Sequence, residues 1–331
     1  MIKKKNILSA VLASLMLASS AVPILADSPA APAPAAAAAA TPAPAADAAA
    51  KPVAAPAADA AAAPAAAAAP AAAPVVIPES EVVTQPWSFA GIFGKYDQNQ
   101  LRRGFQIYKE VCSSCHSAHL FTFRNLSEAG GPAYSADQVK ALAATYTVDD
   151  PSAPGGKRAA LPSDHFPAPF ATEQDARDAN GGALPPDWSV LAKAVSAKRG
   201  FPAWLFDYFT TYQEGGPDFI HALLNGYHDE PPAGFTLPPG KYYNDYFPGH
   251  SIGMPPPLSD GLVKYTPAAD GSTVPETVDQ YSRDVSAFMM WLAEPGLDAR
   301  KEAGFRVIIF LILFAGMMWM VKRRIWRNVE H

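Results

Sequence analysis

The chain has 331 residues, of which 34 are proline and only 2 are cysteine, and its formal net charge is −5 at pH 7. Proline is about twice as common as in an average protein, and alanine runs inflate the apolar fraction of 49%. The acidic balance argues against a nucleic-acid-binding protein, which needs a basic surface. Two cysteines exclude a disulfide-stapled scaffold and a four-cysteine metal site.

The N-terminus has the pattern of a secretory signal peptide over residues 1–26. Lysines occupy positions 3–5, residues 7–25 are mostly apolar, and Ala26 supplies a small residue before a cleavage point. The alternative is an uncleaved N-terminal anchor, which Pro23 and the serines of the apolar stretch disfavour. We therefore expect export of the folded part into an oxidising compartment.

Residues 27–78 consist almost entirely of alanine and proline. Prolines every few residues interrupt each helical run, and no side chain is large enough to form a core. The composition predicts an extended, disordered tether. Residues 79–303 then remain as one globular domain.

The exported part of the chain is more acidic than the whole. Eight of the Lys and Arg residues and one of the Glu residues lie outside residues 27–305, which leaves 18 basic and 30 acidic residues and a balance of −12. Such a surface can steer a basic partner by long-range attraction. Solubility alone is the alternative explanation.

Residues 305–321, FRVIIFLILFAGMMWMV, form an apolar run in which Arg306 is the only charge. A helix of about 17 residues rises roughly 26 Å. Together with flanking residues, this length is enough to cross a bilayer. The pattern predicts a transmembrane helix over 304–322 and, given export of the domain, a cytoplasmic basic tail over 323–331. The alternative is a buried helix of the core, but that would leave the basic residues that follow the run without a suitable environment.

Both cysteines belong to one motif, Cys112-Ser113-Ser114-Cys115-His116. C-x-x-C-H is typical of c-type haem attachment. Thiols three positions apart can add to the two vinyl groups of haem, and the adjacent imidazole then lies beneath the iron. The alternatives are a thioredoxin-like redox pair, which needs a strand–helix context, and zinc, which needs more ligands.

Two amphipathic helices flank the motif in sequence. The first follows a capping Asp97, and the second ends before Pro295. A helix before the motif and another near the C-terminus are typical of small class I cytochromes c. The apolar stripes that predict the two helices are Leu101, Phe105, Tyr108 and Val111, and Val278, Tyr281, Val285, Phe288 and Leu292.

A sixth ligand for the iron has one favoured candidate, Met254. It stands in a loop between Gly253 and three prolines, where glycine permits close approach and proline stiffens the loop. Met289 and Met290 fall within the second helix and are expected in the core. The alternative ligands are His119, His165, His221, His228 and His250.

Four segments resemble the cytochrome c1 family, the haem c subunit of ubiquinol–cytochrome c reductase (the cytochrome bc1 complex, complex III). They are RRGFQIYKEVCSSCHSAHLFTFRN (102–125), NGGALPPD (180–187), YFPGHSIGMPPPL (246–258) and DVSAFMMWLAEP (284–295). They occur in the family's order, and the resemblance covers about residues 85 to 327. It implies a mainly α-helical fold, with a class I cytochrome c-like core enlarged by Pro- and Gly-rich insertions and one C-terminal transmembrane helix.

The resemblance also implies one covalent haem c. Thioether links would form at Cys112 and Cys115, and His116 and Met254 would be the axial ligands of the iron. The positions that line the family's haem pocket correspond to Asn180, Pro185 and Pro186.

One position departs from the family pattern. The family often has an arginine near a haem propionate six residues after the serine of the PPD-x-S stretch. Counting from Ser189 places Val195 there, so either Lys198 or Arg199 substitutes or the propionate is bound differently.

The function that the resemblance implies is electron transfer, without catalysis by this chain alone. The Rieske iron–sulfur protein would donate one electron at a time and a cytochrome c would accept it, beside cytochrome b in a bacterial inner membrane, with the haem domain in the periplasm. The alternatives are a free-standing membrane-anchored cytochrome and a haem enzyme such as a peroxidase. Candidate docking residues for partners are Glu214, Asp218, Asp229 and Glu230.

Overall fold

The computed structural model describes residues 80–210, 212–266 and 273–328. The predicted signal peptide and Ala/Pro tether lie outside these residues. In the part of the chain that is described, α-helices dominate, which confirms the predicted mainly α-helical class. The eight α-helices found there are α1 Gln98–Glu110, α2 Ala136–Ala143, α3 Glu173–Ala179, α4 Leu191–Ala194, α5 Ala203–Thr210, α6 Gly215–Asn225, α7 Val278–Ala293 and α8 Leu297–Trp326.

Helix α1 begins where the sequence predicts. The carboxylate of Asp97 accepts hydrogen bonds from the backbone N–H groups of Asn99 at 2.8 Å and Gln100 at 3.1 Å, which satisfies two donors of the first turn. Of the predicted apolar stripe, the first three residues are buried, whereas Val111 is the half-buried C-cap. The helix therefore ends directly before the C-x-x-C-H motif.

Helices α1 and α7 pack against each other at the centre of the domain. A Cβ atom on Gly104 of α1 would lie 2.2 Å from the carbonyl oxygen of Asp284 in α7, so the two backbones approach too closely for any larger residue. Arg103 forms an ion pair with the same, fully buried Asp284 at 2.7 Å. Met289 and Met290 are buried in the core, as expected.

Aromatic rings fill the core around this helix pair. Phe288 of α7 contacts Phe105 and Tyr108 of α1 and also Phe121, with ring centroids 5.7 to 6.0 Å apart. Further fully buried side chains are Phe89, Phe123, Leu126, Tyr281, Met290 and Trp291. This core positions the end of α1, where the cysteine motif starts.

Short antiparallel strands lie in the long connections, and the sequence did not predict them. Each has only two or three residues, too short for an alternating pattern to be visible. One hairpin joins β1 to β2, and a second sheet has the order β3–β4–β5. The strands are β1 Thr147–Asp149, β2 Lys157–Ala159, β3 Tyr227–His228, β4 Tyr242–Asn244 and β5 Ser251–Ile252.

Helix α8 follows α7 after a short turn and contains the predicted apolar run. It begins at Leu297, seven residues before the predicted boundary at 304, and continues to Trp326. Its most apolar 18-residue window has a mean hydropathy of 2.2 and is 0% buried. Among the described residues it is the one helix long and apolar enough to cross a membrane.

Candidate functional site: a haem-attachment motif between two loops

The C-x-x-C-H motif folds into a tight turn directly after α1. Residues Cys112–Ser114 form a 3₁₀ turn, and the N–H groups of Cys115 and His116 both donate to the carbonyl oxygen of Cys112, at 3.1 and 2.9 Å. Both cysteines are free and half-buried. Burial raises the pKa of the Cys112 thiol to about 12. Two free thiols held one turn apart beside an imidazole match the donor set that covalent haem requires.

The His116 ring is oriented by the loop between α3 and α4. Its Nδ1 lies 2.8 Å from the carbonyl oxygen of Pro186. A carbonyl only accepts hydrogen bonds, so Nδ1 carries the proton and Nε2 keeps the lone pair that a metal needs. Burial lowers the pKa of His116, which favours the neutral, ligating form. Trp188 packs against the ring at a centroid distance of 5.5 Å.

A set of hydrogen bonds joins the residues that follow His116 to the residues that follow Pro186. The Asp187 carboxylate accepts from the Ser117 hydroxyl at 2.9 Å and from the backbone and ring nitrogens of His119 at 2.9 and 2.6 Å. The Trp188 N–H donates to the Ser117 carbonyl oxygen at 2.8 Å. Partial burial alone would raise the pKa of Asp187, but hydrogen bonds from Ser189 and His119 lower it to about 2. Asp187 therefore stays ionised and holds the segments together.

The loop that carries Met254 contacts this same connection from another side. A Cβ on Gly253 would lie 2.9 Å from the Cβ of Ala183, which is only three residues before Pro186. The Tyr227 hydroxyl donates to the carbonyl oxygen of Met254 at 3.2 Å. Met254 itself is half-buried. The 183–186 loop thus touches both the residue before Met254 and the ring of His116.

Most of the alternative histidine ligands have other partners. His221 lies 2.9 Å from Asp279, and His228 lies 2.6 Å from Asp245. The ring of the buried His250 is 3.1 Å from the Asn244 carbonyl oxygen. Asp187 binds His119, as described above. His165 is exposed, and its backbone pairs with Thr122.

The remaining predicted pocket residues have different surroundings. The Asn180 amide donates to the carbonyl oxygen of Ala176 at 2.7 Å and so closes the end of α3. Pro185 is half-buried, and Pro186 contributes its carbonyl oxygen to His116. The sequence did not single out Asp187 or Trp188, although the PPD-x-S spacing contains both.

At the position of the family's propionate arginine, Val195 is the C-cap of α4 and packs against the core. Arg199, one of the two suggested substitutes, pairs with Asp207 at 2.8 Å, and its guanidinium lies 4.1 Å from the centre of the Tyr212 ring. Arg199 is therefore engaged by the loop around α5.

Two of the four candidate docking residues were predicted wrongly. Glu214 is 4% exposed and Asp218 is 0% exposed. Asp218 accepts hydrogen bonds from the Gln85 backbone and from the Trp87 indole, both at 2.8 Å, and also from the Tyr212 hydroxyl. A sequence pattern does not show which acidic side chains are buried and hydrogen-bonded within the domain. The other two candidates, Asp229 and Glu230, are exposed.

The surroundings of the motif fit haem better than its rivals. The segment before Cys112 is a helix and not a strand, so the thioredoxin-like context is missing. Within the described ranges, no group of three or more His, Cys, Asp or Glu side chains could hold a metal ion. Two free thiols and an imidazole with a fixed tautomer are what covalent haem attachment uses.

Comparison with known proteins agrees with this donor set. The sequence profile of the Cytochrome C1 family matches residues 87–329. A protein of Bradyrhizobium diazoefficiens named cytochrome b/c1 is 54% identical over 245 residues, which are 73% of this chain and 35% of that protein. Cytochrome c1 of Blastochloris viridis is 50% identical over 251 residues, covering 74% and 86% of the two chains. The mitochondrial heme protein cytochrome c1 of Saccharomyces cerevisiae is 40% identical over 248 residues, covering 74% and 72%.

Proposed function

The chain belongs to the cytochrome c1 family, and we propose that it is the haem c electron-transfer subunit of a cytochrome bc1 complex. The observation that carries the proposal is the Cys112–His116 motif, with two free thiols and an imidazole whose Nδ1 faces the Pro186 carbonyl oxygen. A further relative supports the place in a complex: the protein of Candida albicans that is named the mitochondrial cytochrome b–c1 complex catalytic subunit is 39% identical over 249 residues.

We propose a different role in haem binding for each residue of the site. Cys112 and Cys115 would attach it covalently, and His116 would be the proximal ligand through Nε2. Met254 would be the distal ligand, presented by a loop that Tyr227 and Ala183 hold in place. Haem c with two protein ligands supplies one-electron chemistry and leaves no open position on the iron. No acid, base or nucleophile is needed in this chain.

We propose that α8 anchors the chain in a bacterial inner membrane. Its apolar run and the basic residues after it support this placement. The predicted signal peptide puts the haem domain in the periplasm and the tail in the cytoplasm. The Rieske protein would then donate electrons on the periplasmic side, and a cytochrome c would accept them there.

The first test is purification through this chain from membranes extracted with mild detergent. We expect a reduced-minus-oxidised spectrum with haem c and b-type haems, together with a Rieske EPR signal. Haem c alone, under conditions that keep known bc complexes intact, would contradict membership in the complex and favour a free-standing anchored cytochrome.

A second measurement distinguishes an electron-transfer protein from a haem enzyme. With both axial positions filled by protein, the reduced protein should bind carbon monoxide only slowly at neutral pH. Rapid binding would mean an open iron position and would favour a peroxidase-like role.

A further inference from the structure

Among the described residues outside the haem site, several large apolar side chains are exposed around α5. Phe201 is 78% exposed, Trp204 49%, Leu205 42% and Phe206 57%. Four large exposed apolar side chains within six residues are a feature that marks interaction surfaces. Burial in the domain core does not explain them.

Polar contacts hold this segment beside the start of α8. Arg199 pairs with Asp207 of α5 at 2.8 Å and lies over the ring of Tyr212. The next residue, Gln213, accepts a hydrogen bond from the Arg300 guanidinium of α8 at 3.0 Å. The charged residues of the loop thus face the protein, and the apolar side chains remain outside.

The contact with α8 places the segment at the level of lipid headgroups. Arg300 is four residues before the predicted start of the membrane helix at 304, which is about 6 Å along a helix axis. The headgroup layer on each side of a bilayer is roughly 5–7 Å thick. Gln213 is three positions after the end of α5 at Thr210, a reach of about 10 Å at most.

We propose that α5 and the preceding Phe201 form a second, interfacial membrane contact, with Trp204 and Leu205 inserted among the lipid headgroups beside α8. Tryptophan prefers this layer because its ring is apolar and its N–H is polar. The hydrogen bond of Gln213 with Arg300 would keep the segment close to α8. This inference rests on the proposed anchoring of α8.

The experiment uses the full haem-loaded chain in its complex, in nanodiscs of phosphatidylcholine and phosphatidylglycerol. A nitroxide is attached to Leu205→Cys, to Phe314→Cys within α8 as the lipid control, and to Leu161→Cys, an exposed leucine of the domain, as the water control. The unsubstituted chain is labelled in parallel to correct for reaction at Cys112 and Cys115. Relaxation of each label by oxygen, which dissolves in lipid, is compared with relaxation by a water-soluble nickel complex.

If α5 lies in the interface, oxygen relaxes the label at 205 more strongly than the nickel complex does, whereas the order is reversed at 161. A label at 205 that behaves like the label at 161, while the label at 314 is in lipid, overturns the interfacial contact and leaves the anchor intact. Protection of position 205 from both reagents also overturns it, because a neighbouring subunit would then cover the patch. A water-exposed label at 314 would instead contradict the anchor itself.

Discussion

His116 is oriented by a single acceptor, the carbonyl oxygen of Pro186. Proline has a fixed φ and no N–H of its own, so this carbonyl oxygen is held by a stiff backbone. Such a partner of a ligating histidine fixes the ring tautomer and raises the basicity of the other nitrogen. Met254, which we propose as the second axial ligand, is the other position at which the protein can set the redox potential.

Replacement of Met254 by leucine should keep the haem attached, because neither cysteine is touched. Loss of the thioether ligand should lower the midpoint potential by on the order of 0.2 V, within the about 0.8 V range that axial ligands span. Redox titration of the purified variant measures this change, with Met317→Leu in α8 as the matched control. An unchanged potential would show that another side chain ligates the iron.

The low pKa of Asp187 predicts that the stability of the folded protein depends on pH. Its pKa in the folded protein is about 2, below its ordinary value of 3.8, so the stabilisation is complete above about pH 4 and is lost as the pH falls towards 2. Asp187→Asn should lower the stability at pH 7 by about 1 kcal/mol, allowing for its partial exposure to solvent, and should flatten the profile between pH 4 and 2. Thermal unfolding followed by circular dichroism tests this.

The control for that experiment is Asp149→Asn, since the side chain of Asp149 is 86% exposed and its nearest cation, Lys157, is 3.5 Å away. This variant should unfold like the parent at every pH. If Asp187→Asn kept the full acid sensitivity of the parent chain, another carboxylate would be responsible.

Among the helices, α1 and α7 determine where the haem-attachment motif begins. Their contact depends on Gly104, which lets the two backbones meet at the carbonyl of Asp284. The ion pair of Arg103 with the same Asp284 secures the register of the crossing. A shift of α1 along α7 would therefore move Cys112 as well.

Gly104→Ala tests this crossing. The new methyl group would overlap a backbone carbonyl, which cannot rotate away, so the helices must separate, at a cost of about 2 kcal/mol or more. Gly304→Ala in α8 is the matched control, because a Cβ there meets no atom within 4 Å and alanine favours helix by up to about 1 kcal/mol. A melting temperature for Gly104→Ala equal to that of the parent would contradict the proposed close contact.

At the scale of the whole molecule, charge is distributed unevenly along the chain. Residues 27–305 have a balance of −12, whereas basic residues collect at the C-terminal end. Asp229 and Glu230 are exposed, whereas Asp218 and Glu214 are committed to internal contacts. A basic electron acceptor would therefore be attracted to the domain that we propose lies in the periplasm and not to the tail.

Electron transfer to a basic cytochrome c should accordingly slow by about tenfold between roughly 0.01 and 0.15 M salt, because the Debye length falls from about 30 to 8 Å. Stopped-flow mixing of the reduced complex with the oxidised acceptor measures the second-order rate constant. Asp229→Lys should lower it further at low salt, more than Asp137→Lys, the same change of charge on the exposed start of α2. Equal effects of the two variants would place docking elsewhere.

Features that depend on local spacing could be predicted from the order of the amino acids alone. The positions of α1 and α7 follow from their apolar stripes, and the apolar run of α8 follows from a contiguous pattern. The C-x-x-C-H motif likewise predicts haem attachment. The choice of Met254 came from its loop composition and from the family resemblance, and it stays a prediction. The short strands and the early start of α8 were not visible in such patterns.

Which distant groups meet depends on the tertiary fold. The acceptor of His116 lies 70 residues away in sequence, and the carboxylate of Asp218 is reached from residues more than 130 positions earlier. These contacts depend on how the long connections pack around α1 and α7, which local propensity does not encode. The same reason explains why Asp218 looked like a surface charge in the sequence, and why the exposed apolar side of α5 became apparent only in the folded chain.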